Sequence, residues 1–276
     1  MDSWITVCGR HLTAALVVLA LPATAPAQLR DDAFRFYGAW FMHAGDAKLR
    51  VDGNDVGTEI DLHDDLLVKK RDDTYQLGAE WRFAERHRLG LGYFKIDRSG
   101  TATLEEDVTI EDVTFPAGSS ATTNFKNTVM PVTYSYSFYK SPDSEFAGTI
   151  GLHWTTLELA VHGQSETSIA TVDRQASADV AGPLPLLGLR YDYAFTPKWR
   201  LLTHAEYFAL KVGGSTTYKG SMLNLRAATE YDILKNIALG ISYTYFAMDA
   251  DADDSDWHGR IDYKYYGPAI YLVAQF

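Results

Sequence analysis

Cysteine is almost absent from this chain of 276 residues, in which Cys8 is the only one. Disulfide bonds within the chain therefore cannot stabilise the fold, so burial of apolar surface or a membrane must do so. After the N-terminal region, no segment has the roughly 20 uncharged apolar residues that a membrane-spanning helix needs. The net charge of −11 argues against nucleic acid as a partner, since nucleic acids are bound by basic surfaces.

The N-terminal segment has the pattern of a secretory signal peptide. An apolar run from Leu12 to Pro22 precedes the small-residue sequence Ala25-Pro26-Ala27, and cleavage is expected before Gln28. The apolar run is too short to cross a bilayer as a helix. We therefore predict that residues 1–27 are a signal peptide and that residues 28–276 form one exported domain.

After this segment, apolar and polar side chains alternate repeatedly along the chain. In the segment from 223 to 232, apolar residues alternate with Asn224, Arg226 and Glu230. A period of two is typical of β-strands that have one apolar and one polar face. The alternation recurs in segments that predict about ten strands, an all-β fold.

Short and long connections alternate between these segments. The long connections lie near residues 45–73, 103–120, 165–178, 212–217 and 249–256. An up-and-down barrel in a membrane has tight turns at one rim and long loops at the other. The sequence therefore predicts an up-and-down antiparallel transmembrane β-barrel of about ten strands. Eight or twelve strands stay open, because the first long connection could hide a hairpin around Thr58–Leu62.

The C-terminal segment from Gly267 to Phe276 carries Ile270, Leu272 and Phe276 on one face. In a soluble protein such an apolar end strand would invite aggregation, whereas a barrel closes its last strand on its first. We expect this strand to pair with Ala33–His43. The alternative is a soluble barrel or sandwich, but 17 Tyr, 13 Phe and 6 Trp favour a membrane barrel with aromatic girdles.

Two positions interrupt the alternation. On the fifth segment the parity slips near Thr155–Thr156, which predicts a bulge. On the last segment, Asp262 and Lys264 share the parity of Ile270, so one continuous strand would place charges in lipid. Either a bulge at Gly267–Pro268 switches the faces or the charged half stands above the membrane. Because proline lacks an N–H and suits a bulge, the sequence favours the switch.

These features together resemble Gram-negative outer-membrane β-barrel proteins. The resemblance rests on Ala25-Pro26-Ala27, on the alternating strands, and on Tyr271, Val273 and the terminal Phe276. The size and the acidic loops are similar to the small OmpW-like and OmpA-like barrels. The resemblance implies a place in the outer membrane, contact with its lipid and lipopolysaccharide, and assembly machinery that recognises the strand ending in Phe276.

Charged residues fall on the polar face of several segments, which lines the lumen of a barrel. Because buried charges need partners, we predict a lumen-facing charge network with the pairs Arg190–Glu206 and Glu206–Arg226 across neighbouring strands. Ten strands leave a narrow lumen at best. The network therefore predicts either a salt-bridged plug or a narrow pore for a small polar solute. Its predicted members are Glu80, Arg82, Arg190, Asp192, His204, Glu206, Arg226 and Glu230.

The acidic segment from Asp249 to Asp256 holds five aspartates in eight residues. Clustered carboxylates bind hard cations such as Ca²⁺, but the glycine and the closing glutamate of a calcium loop are missing. We therefore predict a solvated acidic loop and no metal site. Bridging of the loop to lipopolysaccharide phosphates by divalent ions stays an open alternative.

The histidines are scattered, and the sequence contains no Gly-x-Ser-x-Gly element. His204 and Glu206 share a face and His153 points inward, but a nucleophile would also be needed. His63 with Asp64-Asp65 is similar to the paired groups of ten-stranded barrel proteases, without their spacing. The sequence thus favours a structural envelope protein or narrow passive channel, without a cofactor. An outer-membrane protease or lipid-A-modifying hydrolase, with unassigned catalytic residues, is the alternative.

Overall fold

A computed structural model describes residues 27–52, 57–110, 112–166, 171–212, 217–253 and 258–276. The predicted signal peptide, apart from Ala27, lies outside these ranges. No helix in the described ranges is long and apolar enough to cross a membrane. The strands are β1 (Phe34–Asp52), β2 (Ile60–Asp61), β3 (Arg71–Ala84), β4 (His87–Thr103), β5 (Val108–Ile110), β6 (Val113–Phe115), β7 (Ser120–Lys140), β8 (Ser144–Glu166), β9 (Thr171–Ala194), β10 (Trp199–Val212), β11 (Thr217–Leu234), β12 (Ile237–Asp253) and β13 (His258–Gln275).

Ten long strands close into one antiparallel barrel in the order β1, β3, β4 and β7 to β13. The last strand closes on the first, with Phe36 opposite Ala274 and Trp40 opposite Ile270. The short β2 pairs only with β1, and β5 pairs with β6 in a separate hairpin. The predicted ten-stranded up-and-down barrel and its closing strand are confirmed. The segment around Thr58–Leu62 is not a further hairpin of the barrel wall.

The two ends of the barrel differ as the alternation of connections predicts. At one end, which we call the lower end, tight turns join β3 to β4, β7 to β8, β9 to β10 and β11 to β12. The other, upper end carries the long connections. Both the start of β1 and the end of β13 lie at the lower end, where the Phe34 and Phe276 main chains exchange two hydrogen bonds.

The outer face of the lower half is a continuous apolar surface. The ten members named at the end of this paragraph are exposed to between 40% and 67% of their area. Water would not tolerate so large an apolar surface on a soluble monomer, so this surface requires lipid. We call it the apolar belt; its members include Phe36, Trp40, Leu77, Leu91, Val132, Leu152, Leu187, Leu225, Ile241 and Leu272.

Above the belt, the same strands continue with the opposite distribution of polarity. On β8, Leu157 and Leu159 point inward and are 5% exposed. The intervening Glu158 points outward, together with His162. The upper half is therefore built like a soluble barrel, with its apolar side chains inside and its polar side chains outside.

This inversion corrects two predictions from the sequence. The pairing of β8 with both neighbours runs continuously through Thr155 and Thr156, so the predicted bulge there is wrong. The pairing of β13 also keeps one register on both sides of Gly267–Pro268, so the favoured switch of faces is wrong. The pleat continues unchanged, and what changes is the medium on each side. Asp262 and Lys264 point outward above the belt, which was the other alternative.

The long connections are shorter than predicted, because strands continue into them. β1 extends to Asp52, β8 to Glu166 and β12 to Asp253. The start of the acidic segment 249–256 is therefore strand, and residues 254–257 lie outside the described ranges. In these extensions the polar residues face outward and the apolar residues face inward. Because the sequence analysis expects apolar residues outside, it assigns the extensions to loops.

The first long connection packs against β1 and β4 at the upper end. Leu62, Leu66 and Val68 are buried there, each at most 2% exposed. Main-chain hydrogen bonds tie this segment to the wall on both sides, from the Gly45 N–H to the Lys70 carbonyl and from the Lys69 N–H to the Ser99 carbonyl. The connection thus completes the upper wall between β1 and β4 and adds Leu62, Leu66 and Val68 to the buried interior.

Candidate functional site

The candidate site is the interior of the barrel, which has three levels. The lowest, which we call the charged layer, contains five arginines and five carboxylates joined in one chain of ion pairs. Equal numbers of opposite charges make this layer formally neutral. In chain order its members are Arg35, Glu80, Arg82, Arg88, Glu145, Arg190, Asp192, Arg200, Glu230 and Asp232.

One end of the charged layer is centred on Glu145. Its carboxylate accepts hydrogen bonds from Arg82 at 2.8 Å and from Arg88 at 2.6 Å. Arg82 and Arg88 lie directly opposite each other on β3 and β4. Like charges in that arrangement repel, and Glu145 from β8 reduces the repulsion by pairing with both. The pairing therefore crosses the lumen instead of following one strand pair.

The chain of ion pairs continues around the wall. Arg88 reaches Asp192 at 3.1 Å, and Arg190 joins Asp192 at 2.9 Å to Glu80 at 3.0 Å. Arg88 and Arg190 each contact two carboxylates, which gives each planar guanidinium group two acceptors.

The remaining links lie on the far side of the wall. Arg35 bonds to Glu230 at 2.7 Å, and Arg200 bonds to the same carboxylate at 2.6 Å. Arg200 also donates to Gln275 on the last strand. The charged layer thus links the first strand to the last across the closure of the barrel.

The N-terminal residues cover the lower mouth. The Leu29 N–H donates to the Pro142 carbonyl at 2.6 Å, and the Arg30 side chain donates to the Lys235 carbonyl at 2.5 Å. Lys140 lies 2.9 Å from Asp31. This segment therefore bridges two tight turns beneath the charged layer.

The middle level is a cavity of about 140 Å³, which we call the polar chamber. Its polar walls come from Tyr37, His153, His204, Glu206, Asn224 and Arg226. Glu206 accepts a hydrogen bond from Asn224 at 2.7 Å and lies 3.5 Å from the His153 ring nitrogen. The Arg226 guanidinium lies over the rings of Tyr37 and Tyr271, 5.6 and 5.3 Å from their centroids.

The highest level is mostly apolar, and we call it the apolar plug, although His43, Arg98 and Asn127 are also buried there. Its side chains form one buried cluster in which aromatic rings from several strands meet, such as Phe246 and Tyr265 at 4.7 Å. Its members include Phe41, Phe94, Ile96, Phe125, Val129, Leu157, Leu159, Phe246, Met248, Ile261, Tyr263 and Tyr265, with Leu62, Leu66, Val68, Ile110 and Phe115 from the first two long connections.

The eight side chains predicted to form one network lie at two levels. Glu80, Arg82, Arg190, Asp192 and Glu230 belong to the charged layer. The other three, His204, Glu206 and Arg226, line the polar chamber.

The predicted pairs with Glu206 do not form. Arg190 lies opposite His204 and bonds to Glu80 instead. Glu206 lies opposite Asn224 on β11, and it contacts Asn224 and His153. The register between strands decides these contacts, and the sequence pattern alone does not give it.

Sequence reasoning also missed half of the charged layer. Arg88, Glu145 and Arg200 are each the second residue of their strand. Because these residues lie next to a tight turn, the sequence pattern assigns them to the turn. Their parity was the signal that could have found them, because each falls on the polar face of its strand.

Other predicted candidates lie elsewhere. The His63 ring contacts the Val68 carbonyl, and Asp61 caps the main-chain N–H groups of His63 and Asp64. At the upper end, Asp249 contacts Arg260 at 3.5 Å. Within the described ranges, no three His, Cys, Asp or Glu side chains are close enough to hold a metal ion.

Comparisons with known proteins identify the fold. No protein-family model matches the sequence, and no curated protein is similar to it. Among solved structures, the outer membrane protease OmpT from Escherichia coli has a TM-score of 0.58 at 10% identity, covering 92% of this chain and 99% of that one. At this identity the likeness shows the fold alone. The chain has the fold of outer-membrane β-barrel proteins.

Two further structures have lower scores. The toluene transporter TodX of P. putida has a TM-score of 0.39 at 9% identity, covering 90% of this chain and 91% of that one. Ail, the attachment invasion locus protein of Yersinia pestis, has a TM-score of 0.28 at 10% identity, covering 85% and 98%. These scores are too low to carry an argument about this protein.

Proposed function

We propose that this protein is a closed, structural β-barrel of the bacterial outer membrane. Its lower half crosses the bilayer and its upper half forms a rigid extension beyond it. The observation that carries the proposal is the double closure of the lumen. The charged layer fills the lower half, and the apolar plug fills the upper half.

The two closures act in series on any solute. An ion that passes the charged layer would have to displace ion pairs in a space without bulk water. It would then meet the apolar plug, in which few polar groups could replace its hydration shell. The cavity between them is bordered by Glu80 of the charged layer and by Phe94 and Tyr265 of the apolar plug, so the geometry supports a closed barrel over a passive channel.

The proposed orientation places the lower end and both chain termini in the periplasm. Tight turns face that side in outer-membrane barrels. The terminal Phe276 side chain is 61% exposed on the outer face, which suits recognition of the last strand by assembly machinery. Lipid contacts the apolar belt, and lipopolysaccharide phosphates are the proposed contacts of the basic residues above it.

The hydrolase alternative receives less support from the geometry. His153 and Glu206 are in contact, but they face a chamber that lies between the two closures. A polypeptide substrate could not reach them without opening the apolar plug. We therefore propose a structural role for the barrel and no catalytic role for this pair.

Single-channel conductance in a planar bilayer tests the proposal directly. The protein is refolded into vesicles, its fold is verified by slower gel migration after boiling, and it is fused to a planar bilayer. We expect no unitary conductance steps, while a general porin prepared in the same way gives steps in the same salt. Steady steps that scale with salt concentration would overturn the closed barrel.

A further inference from the structure

The wall of the barrel is open along one line, between β9 and β10. The last pair that joins these strands is Leu187 with Tyr207, and no further pair follows above it within the described ranges. Both strands nevertheless continue upward, β10 to Val212 beside β11 and β9 to Thr171 beside β8. The two strands therefore separate above Leu187, and we call the gap the β9–β10 seam.

The lower part of the seam lies at the level of the apolar belt. On its other side β9 pairs with β8, where Pro185 lies opposite Leu152 and Pro183 lies opposite Trp154. Leu152 belongs to the belt, and Trp154 is 46% exposed on the same outer face. The seam therefore opens sideways onto lipid.

Two prolines explain why the pairing stops there. The Ala194 N–H donates to the Asp143 carbonyl on the β8 side, and the register of β9 with β8 is continuous above this bond. Because N–H groups alternate between the two sides of a strand, the even-numbered ones of β9 point to β8 and the odd-numbered ones point to β10. Pro183 and Pro185 occupy odd positions, so β9 has no N–H to donate to β10 there.

The prolines also make this edge of β9 compatible with lipid. An unpaired N–H group is costly in hydrocarbon, because no water can accept its hydrogen bond. The carbonyl groups of Pro183 and Pro185 remain, and they lie just below the level of Thr156, where the outer face becomes polar. A polypeptide strand added to this edge would find no donors at the prolines, whereas a hydrocarbon chain needs none. The edge therefore favours a lipid chain over a strand from a second copy.

Behind the seam the interior is apolar and incompletely packed. Leu184 on β9 and Phe208 on β10 are only partly buried against the apolar plug. Met222, directly opposite Phe208 on β11, is 1% exposed, and its strand is paired on both sides. A Cβ atom at Gly182, two residues above Leu184 on the same face, would meet no atom within 4 Å. The seam therefore leaves apolar side chains of the interior and free space uncovered.

We propose that the β9–β10 seam binds one acyl chain of a lipid from the leaflet beside the upper part of the belt. The chain enters sideways from the bilayer, contacts Leu184 and Phe208, and completes the wall where the strands do not pair. Its headgroup stays outside, near the level of Thr156. This inference rests on the proposed position of the belt in the bilayer, but it does not depend on the barrel being closed to ions.

Fluorescence quenching by brominated lipid tests the seam directly. The mature chain from residue 28 onward has no native cysteine, so single cysteines at Phe208, Met222 and Leu152 can each carry a small fluorophore. The refolded variants, checked by slower gel migration after boiling, are placed in vesicles of phospholipid with bromine on the acyl chains. We expect bromine to lower the fluorescence at 208 nearly as much as at 152, and to leave that at 222 nearly unchanged.

Met222 is the matched control, because it lies beside Phe208 behind a paired wall, and Leu152 reports the belt itself. Quenching at 152 with no more quenching at 208 than at 222 would overturn the seam site alone. Absence of quenching at 152 as well would contradict the position of the belt on which the inference rests. If Phe208→Cys does not fold, Leu184→Cys makes the same test from the β9 side.

Replacement of the prolines tests what keeps the seam open. Pro183→Val combined with Pro185→Val restores two N–H groups that point toward β10, so the pairing of the strands can extend upward. We expect this double variant to lose the quenching at 208. Pro268→Val, which changes a proline on β13, is the control and should keep it. Undiminished quenching in the double variant would show that the prolines do not hold the seam open.

Discussion

The lower and upper halves of this barrel use the same strands with opposite chemistry. In the lower half, apolar side chains face outward and charged side chains face inward. In the upper half, polar side chains face outward and apolar side chains form the core. On β8 the change takes place between Leu152, which is 46% exposed outside, and Leu157, which is 5% exposed inside. The alternation of the pleat is constant, so the surrounding medium decides which face is apolar.

The difference teaches that each half is stabilised in its own way. Above the belt the outer face meets water, so burial of the apolar plug is driven by the hydrophobic effect. Within the belt, lipid is as apolar as a protein core, and packing apolar groups together gains little over lipid contact. There the interior depends on hydrogen bonds and ion pairs, which are strong where water is excluded.

The largest effect is expected when the charged layer loses one carboxylate. Glu145→Ala removes the carboxylate that pairs with Arg82 in the charged layer, and it leaves Arg82 buried opposite Arg88, which keeps only Asp192. Breaking a buried pair in this way costs about 3–5 kcal/mol. Urea unfolding of the refolded protein in lipid vesicles measures the change. Glu158→Ala on the same strand is the control, because the exposed pair of Glu158 with Lys126, 3.8 Å long, contributes about 0–1 kcal/mol. Equal losses would contradict the account.

The next effect concerns leucines on the two faces of β8. Leu157→Ala removes a side chain from the apolar plug and leaves a cavity, which costs about 2–5 kcal/mol in a packed core. Leu152→Ala removes a side chain that contacts lipid, and lipid can fill the space. We therefore expect a smaller loss for Leu152→Ala in the same unfolding assay. A larger loss at Leu152 than at Leu157 would mean that the halves are wrongly assigned.

A charge introduced on the outer face sharpens the position of the boundary. Leu152→Arg places a cation against lipid, which costs about 2–4 kcal/mol near the bilayer midplane and less near its surface. Thr156→Arg points outward on the same strand, four residues further up, and should change the free energy of unfolding little. A comparable loss from both substitutions would show that the bilayer extends above Thr156.

The smallest effect is expected at the outer surface just above the belt. The side chain of Lys70 lies 2.8 Å from Asp46, and this hydrogen bond raises the pKa of Lys70. Because the raised pKa belongs to the folded state, the stabilisation is complete below the unfolded pKa and is lost as pH rises through the folded one. Lys70→Met should therefore lower stability by about 1 kcal/mol or less at neutral pH. The difference between variant and wild type should shrink in strongly alkaline buffer, which unfolding curves at both pH values measure.

The sequence predicted the part of the fold that lies in lipid. Ten segments with apolar residues on one face give the strand count, and the alternation of tight turns with long connections gives the topology. The upper half was misread, because Leu157 and Leu159 continue the strand with the opposite polarity. When the apolar residues move from one face of a strand to the other, the cause is either a bulge or a change in the surrounding medium. Composition does not distinguish these two causes.

The candidate site was predictable in part for a related reason. Parity is enough to find polar side chains such as Glu80 and Arg190 on one face of a strand. It does not give the register, which sets Arg190 against His204 and leaves Glu206 beside Asn224. Contacts across the lumen, such as Arg88 with Asp192, also depend on the closure of the barrel. The polar chamber is lined in part by Gly90 and Gly92 of β4, which no charge pattern reveals.

The central claim is that the outer face changes from lipid to water along one continuous strand. A spin-label scan of β8 tests it most directly, because Cys8 is the only native cysteine and lies within the predicted signal peptide. Single cysteines replace the outward residues Ile150, Leu152, Thr156, Glu158 and His162 in the refolded protein, and each label is tested with oxygen and with a polar nickel reagent. The account predicts oxygen accessibility at 150 and 152 and nickel accessibility at 158 and 162, with the crossover near 156. Oxygen accessibility at every position would contradict it.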